Sequence, residues 1–496
     1  MSDTSIALNR FGYGLRDGEM PPGDPKGFLL RQLRDFDPRP GALSSRPETS
    51  GQAGELLKTI RASRKEQRSA RSEGPSAAMM MQESMTESQA DRRSNREKAL
   101  DGLPPEVANR LRDAFGLYRS DAALRTRIAV TSPTPFAERL THFWANHFSV
   151  TAGKPGTSFE VGNHEFYAIR PHVTGRFSDM LKAAVLHPAM LLYLDQYQSV
   201  GPASRFAQRR QRRRNRDNSN NQQDRGLNEN LAREVLELHT LGVDGGYSQG
   251  DVTEFARALT GWTLPGLSRL SRFSEKQPGG TAYVSIAHEP GKRRIMGRSY
   301  ADTGAQQALS ILDDLAAHPA TARHVATKLA RHFAGDEPPP ALVTRLERDF
   351  RATNGDLASL ARTLVNAPES WTAGPVKFRQ PYEWFTSVLR FTGLDDLSER
   401  RLNGVLRQLG QAPWRAPSPA GFDDVAESWA GPDAIVRRVE LAERIARNAP
   451  AGDVLERAAR AYPDALSANT RTWISRAESG SQALGLLLVA PEMMRR

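Results

Sequence analysis

Asn228-Glu-Asn-Leu-Ala-Arg-Glu-Val-Leu-Glu-Leu-His239 is the densest polar constellation in the chain and reads as one helix. At 3.6 residues per turn Leu231, Ala232, Val235, Leu238 and His239 fall on one face, and Asn230, Arg233, Glu234 and Glu237 on the other. His239 sits inside the apolar stripe, which predicts a buried imidazole that needs a hydrogen-bond partner. Glu234 and Glu237, at i and i+3, project side by side, a spacing suited to a shared cation or to an arginine. Arg233 and Glu237, at i and i+4, offer an intrahelical ion pair instead.

Outward from this stretch the pattern stays helical. Gly246-Tyr-Ser-Gln-Gly250 matches a nucleophile elbow in letters, but that turn needs a strand leading into it, and here a helix ending at Gly242 precedes it. Ser248 and Asp251 ahead of Val252, Phe255, Ala256 and Leu259 read as a capping box opening an amphipathic helix. Elsewhere Ala, Leu and Arg recur at three- and four-residue spacing, and prolines as in His187-Pro188 and His318-Pro319 mark helix starts. A β signal is confined to 281–300, where Tyr283-Val-Ser-Ile286 and Arg294-Ile-Met296 flank a turn at Pro290-Gly291. The expected class is all-α with one small β-hairpin.

The chain has 496 residues, 39% of them hydrophobic, no cysteine and a formal net charge of +11. Without cysteine there are no disulfides, thiolate zinc sites, cysteine nucleophiles or c-type haem attachment, so any metal must sit on His, Asp, Glu, Asn or backbone oxygen. Neither a phosphate-binding Walker loop nor a dinucleotide GxGxxG is present, so no nucleotide motif is found. The amino terminus lacks a secretory signal pattern and no apolar run approaches the roughly 20 residues of a membrane span. These readings predict a cytoplasmic protein, with export alongside a signal-bearing partner to the periplasm as the alternative.

The basic balance is local. Ser204–Asp217 holds seven arginines against one aspartate, a net of +6 out of the chain's +11. The segment 204–227, rich in Arg, Asn and Gln without apolar periodicity, is expected to be a disordered surface loop, with an anionic ligand as its sharper use. It lacks the interleaved aromatics of base-stacking surfaces, which argues against nucleic acid. The stretch 44–100, rich in Ser, Arg, Glu and Gln, reads as a polar, partly disordered insertion lacking a core pattern.

A second cluster spans Glu138–Phe148. Glu138, His142 and Asn146 form one polar stripe, while Phe136, Leu140, Phe143 and His147 form another that is largely apolar. His142 and His147, five apart, cannot chelate one ion from an unbroken helix; Ser149–Gly156 looks like the break. Histidines packed among aromatics are the plainer account. His324, Lys328 and His332 make a basic i, i+4, i+8 stripe that could meet an anion or simply face solvent.

The string Asn228–Gly242, with Tyr247, Asp251-Val and Ala258-Leu-Thr-Gly-Trp262, resembles the signature of the bacterial "domain of unknown function 1800" family. So do Asn9-Arg-Phe-Gly12, Phe143–Phe148, Ile169-Arg-Pro171, His187–Asp195, Lys377 with Pro381-Tyr-Glu383, and Pro417–Gly421. The resemblance spreads over nearly the whole chain and implies one integrated unit, 1–496, with 44–100 and 204–227 as insertions. It further implies a mostly helical bacterial protein of uncharacterised activity, often encoded beside a sulfatase-like protein.

The residues support two functional readings. In the first, an enzyme, Glu234, Glu237, His142 and Arg233 supply catalysis, Asn230, Arg170, Trp262 and Asn146 bind substrate, and Glu234, Glu237, His147 and His239 are candidate ligands of a divalent metal. In the second, the same residues form a closed structural network, and the chain is an accessory protein docking to a sulfatase-like partner. The discriminator is whether Glu234, Glu237 and His142 line one cavity.

Overall fold

The computed structural model describes residues 1–47, 49, 51–70, 100, 103–217, 226–267, 274–450 and 452–496. It is 62% helical, and prolines open many of the helices. Pro25, Pro105, Pro135, Pro319, Pro340, Pro381 and Pro432 all occupy the first turn of the helix they begin, where a missing N–H costs nothing. His187 and His318 act as N-caps, their Nδ1 atoms accepting from the N–H groups of Ala189 and Ala320. Ser248 and Asp251 form the expected capping box on the helix Gln249–Leu259.

The β-structure is confined to short strands and differs from a single hairpin. Strand β1 (Trp262–Thr263), β2 (Ser274–Gln277) and β3 (Thr281–Val284) form an antiparallel sheet in the order β1-β3-β2. Strand β4 (Arg293–Ile295) pairs with β5 (Arg298–Tyr300) across a tight turn containing Gly297. The two runs expected to pair thus belong to different sheets. The Gly297 turn provides the tight reversal, whereas the Pro290-Gly291 segment is anchored by Gly291 N–H donating to Asp302.

Two polar segments are more ordered than their composition suggests. Within 44–100, a helix runs over Gln52–Ala70 and buries Ala53, Leu56 and Leu57, with Ile60 packed beside them. Those positions are i, i+3, i+4 and i+7, a narrow apolar stripe diluted by its polar surroundings. Arg46 is also buried, in a two-pronged ion pair with Asp121. The rest of that stretch, 71–99, lies outside the described residues. In 204–227, Arg205–Asp217 is helical instead of a loop; Arg and Gln are good helix formers and no Gly or Pro interrupts them. Residues 218–225 lie outside the described set.

Two apolar cores organise the molecule. The larger gathers helices from the first three-quarters of the chain. The smaller is built from C-terminal helices and also takes Leu8, Leu15, Ala123 and Val130 from the N-terminal part. Single π-helical turns occur at Ala7–Phe11, His164–Ile169 and Val235–His239. Such a turn inserts a residue into the helical register and re-aims the side chains beyond it. No described helix is long and apolar enough to cross a membrane.

Candidate functional site

A cavity of about 260 Å³ opens between the helices Pro135–His147, Pro319–Ala334 and Pro381–Thr392, roofed by the chain from Gln411 to Val425. Its size suits a small molecule rather than a polymer chain held along its length. Its polar lining includes Tyr13, His142, Asn146, Lys328, His332 and Asp424.

The roof is fixed by Asn146. Its Nδ2 donates to the carbonyl of Phe422 at 2.9 Å and its Oδ1 accepts from the Phe422 N–H at 2.8 Å. Lys377, buried beneath, donates to the carbonyls of Arg331 and Asp424 at 2.9 and 2.6 Å and pairs with the Asp424 carboxylate.

Asp424 in turn orients His332. The His332 Nδ1 lies 2.9 Å from Asp424 Oδ2, leaving Nε2 without a hydrogen-bond partner among the described residues, 3.8 Å from Glu383. Burial would raise the Asp424 carboxyl, but His332 and Lys377 hold it well below the usual carboxylate range. Burial also depresses the His332 imidazole, with Asp424 opposing. An ionised Asp424 accepting from Nδ1–H therefore leaves a neutral imidazole with its lone pair at Nε2. Glu383 is held ionised, at about 2, by Arg139 and Arg496, which overcome its burial.

Also in the lining, the Tyr13 hydroxyl meets His142 Nδ1 at 2.5 Å, and His142 Nε2 lies 3.9 Å from Glu165. Burial, reinforced by Arg125 and Arg170, keeps His142 neutral, so Tyr13 donates to it. Glu165 also accepts from Arg125 and from the Trp414 indole, both at 2.8 Å. It reaches them from the π-helical turn His164–Ile169.

The residues singled out in the sequence divide among three places. His142, Asn146 and His147 line the cavity. Arg170 does not: both its Nη atoms donate to Glu138 at 2.6 Å inside the core. Trp262 lies in β1, its ring 5.8 Å from that of Tyr283. Asn230, Arg233, Glu234 and Glu237 are absent from the cavity lining. Arg233 pairs with Glu229 and Gln249 rather than with Glu237, while the Tyr247 hydroxyl donates to Glu237 at 3.4 Å. The π turn Val235–His239 buries Val235, Leu236 and His239 and leaves Leu238 half-buried.

His239 is fully buried, as expected, yet neither of its ring nitrogens has a hydrogen-bond partner among the described residues. Its carbonyl instead faces His147 Nε2 at 3.1 Å. Burial lowers His239 to about 3 and places His147 well below its ordinary value. Among the described residues no three His, Asp or Glu side chains gather as a ligand set for a metal.

Sequence reasoning gave no site role to Tyr13, Arg125, Arg331, Tyr382, Glu383, Trp414 or Asp424. The His324/Lys328/His332 spacing was a usable signal: Lys328 and His332 line the cavity, while His324 Nε2 is tied to the Leu238 carbonyl at 3.0 Å. The family model described as "Protein of unknown function (DUF1800)" matches residues 6–495. No curated protein and no solved structure matches the chain.

Proposed function

Because the chain belongs to the DUF1800 family, whose own description assigns no activity, we propose a function from the cavity itself: an enzyme acting on a small anionic substrate by general acid–base catalysis. The observation that carries this reading is the His332–Asp424 pair. A carboxylate fixing one imidazole nitrogen, with the other nitrogen unpartnered in a residue that lines a cavity, is the arrangement of an oriented base. His332 would take a proton from water or from the substrate. Tyr13 and His142, linked by hydrogen bond in the same lining, supply a second group able to pass a proton. Lys328 and Arg331 would hold the negative charge, since the cavity carboxylates Glu383 and Asp424 are already paired with other cations.

Of the residues expected from sequence, His142, Asn146 and His147 belong to this proposal, Asn146 as the residue positioning the roof. The test is turnover of a panel of small esters, amides and hydroxy or oxo acids by the protein and by Asp424→Asn. Loss of about a hundredfold or more in kcat with the melting transition retained supports the dyad; a fully active variant overturns it.

A second reading concerns Glu234 and Glu237. Burial and the neighbouring Glu237 raise the Glu234 carboxyl, a like-charge crowding that a divalent cation would relieve. The accessory reading, docking to a sulfatase-like partner, draws on the exposed Arg205, Arg209, Arg212 and Arg213 of the Arg205–Asp217 helix. An anionic partner surface would complement them.

A further inference from the structure

Lys328 stands apart from the other buried and half-buried cations of this protein. Arg139, Arg170, Lys377 and Arg496 each meet a carboxylate within 3.1 Å, and Arg10, Arg379 and Arg438 donate instead to a carbonyl or amide oxygen. Lys328 lines the cavity, yet its ammonium has no hydrogen bond or ion pair among the described residues. Asp424 attracts it from beyond ion-pair distance, being already engaged by His332 and Lys377. Arg331, also lining the cavity, donates its Nε to the Asp336 carbonyl at 3.3 Å and makes no ion pair among the described residues. An amine facing a cavity, without a counter-ion among the described residues and beside a second cation, is the environment in which lysine serves as a nucleophile.

We infer that Lys328 is a covalent catalytic residue that captures the carbonyl carbon of a small aldehyde- or keto-acid as an imine, with Arg331 receiving the acid's carboxylate. This rests on the proposed use of the cavity as a substrate site. In the step, the Nζ lone pair forms a bond to the carbonyl carbon while the C=O π pair moves to oxygen. His332, one helical turn along the same face, takes a proton from the attacking nitrogen and delivers it to that oxygen. The carbinolamine then expels water as the C=N bond forms, so amine plus carbonyl gives imine plus water. Burial, together with Arg331 and against the pull of Asp424, brings the Lys328 ammonium down to about 8. About a tenth of it is then neutral amine near pH 7, against well under a hundredth for an ordinary lysine.

The test is capture in the full-length protein. Glyoxylate with sodium cyanoborohydride, which reduces an imine to a stable secondary amine, is applied briefly near neutral pH, and the modified positions are mapped by peptide mass spectrometry. Lys328 should gain the carboxymethyl adduct about tenfold or more faster than the exposed Lys276 and Lys292. Arg331→Ala should narrow that preference for glyoxylate while leaving it for neutral formaldehyde. Labelling of Lys328 no faster than of Lys276 and Lys292 overturns the inference. That comparison uses the unaltered chain, so it stands even if Arg331→Ala fails to fold. Capture needs no turnover, so its failure removes the covalent role alone, and the acid–base reading is judged separately from Asp424→Asn.

Discussion

Asn146 grips both backbone polar groups of Phe422, donating to the carbonyl at 2.9 Å and accepting from the N–H at 2.8 Å across 276 residues of sequence. Gly421 beside it has φ of +90°, and a Cβ there would stand 2.5 Å from the Asn146 carbonyl oxygen. The roof of the cavity therefore depends on one amide and on one missing side chain. Asn146→Ala should loosen the roof and cost about 1–3 kcal/mol of stability. Gly421→Ala should cost at least as much through backbone strain and the clash. Denaturant melts measure both costs, and both variants should weaken binding of whatever anion the cavity takes.

The dyad has a signature in pH. Asp424 works against the burial that depresses His332. Replacing its charge in Asp424→Asn should therefore move the acid limb of a rate profile, or the imidazole titration monitored by NMR, to lower pH. A shift to higher pH would contradict the assigned geometry.

The Glu138–Arg170 pair is closed to solvent, with side chains 1% and 4% exposed. Removing one partner leaves a buried, uncompensated charge. Glu138→Ala should thus lose about 3–5 kcal/mol, whereas joint replacement by Glu138→Leu and Arg170→Met should recover most of it. Equilibrium denaturation of the single and double variants decides whether this pair is structural, as its absence from the cavity lining implies.

Glu160 gives a pH-dependent term of opposite sign to the usual carboxylate. Burial outweighs Asn163 and Arg46 and raises it to about 7. Between pH 4.5 and about 7 the unfolded chain ionises this group while the folded chain keeps its proton, so stability falls as pH rises through that window. Glu160→Gln should be close to neutral near pH 4 and stabilising by on the order of 1–3 kcal/mol at pH 8. Melts at the two pH values check it.

Elemental analysis of untagged protein beside the Glu234→Ala/Glu237→Ala variant tests the metal reading. Near-stoichiometric metal that disappears in the variant places a cation on that helix. Metal-free protein in both leaves the pair as an uncompensated acidic patch, and the double substitution should then raise stability slightly by relieving the crowding at Glu234.

The sequence by itself determined the helical class, the starts of many helices and the capping box at Ser248, because these arise from interactions within a few residues of chain. It also exposed the stripe of Glu138, His142 and Asn146. Only the tertiary structure decided what the stripe does: three side chains four residues apart are handed to Arg170, Tyr13 and Phe422, from three distant segments. The same holds for the site. Asp424 carries no local mark that separates it from Asp423, and its role exists only because Lys377 and His332 fold against it. Conversely, the Glu234/Glu237 helix was the most conspicuous text in the chain, yet none of Asn230, Arg233, Glu234 and Glu237 lines the cavity. Periodicity reads local geometry well. Which polar groups share a cavity is set by long-range packing, which no spacing along the chain encodes.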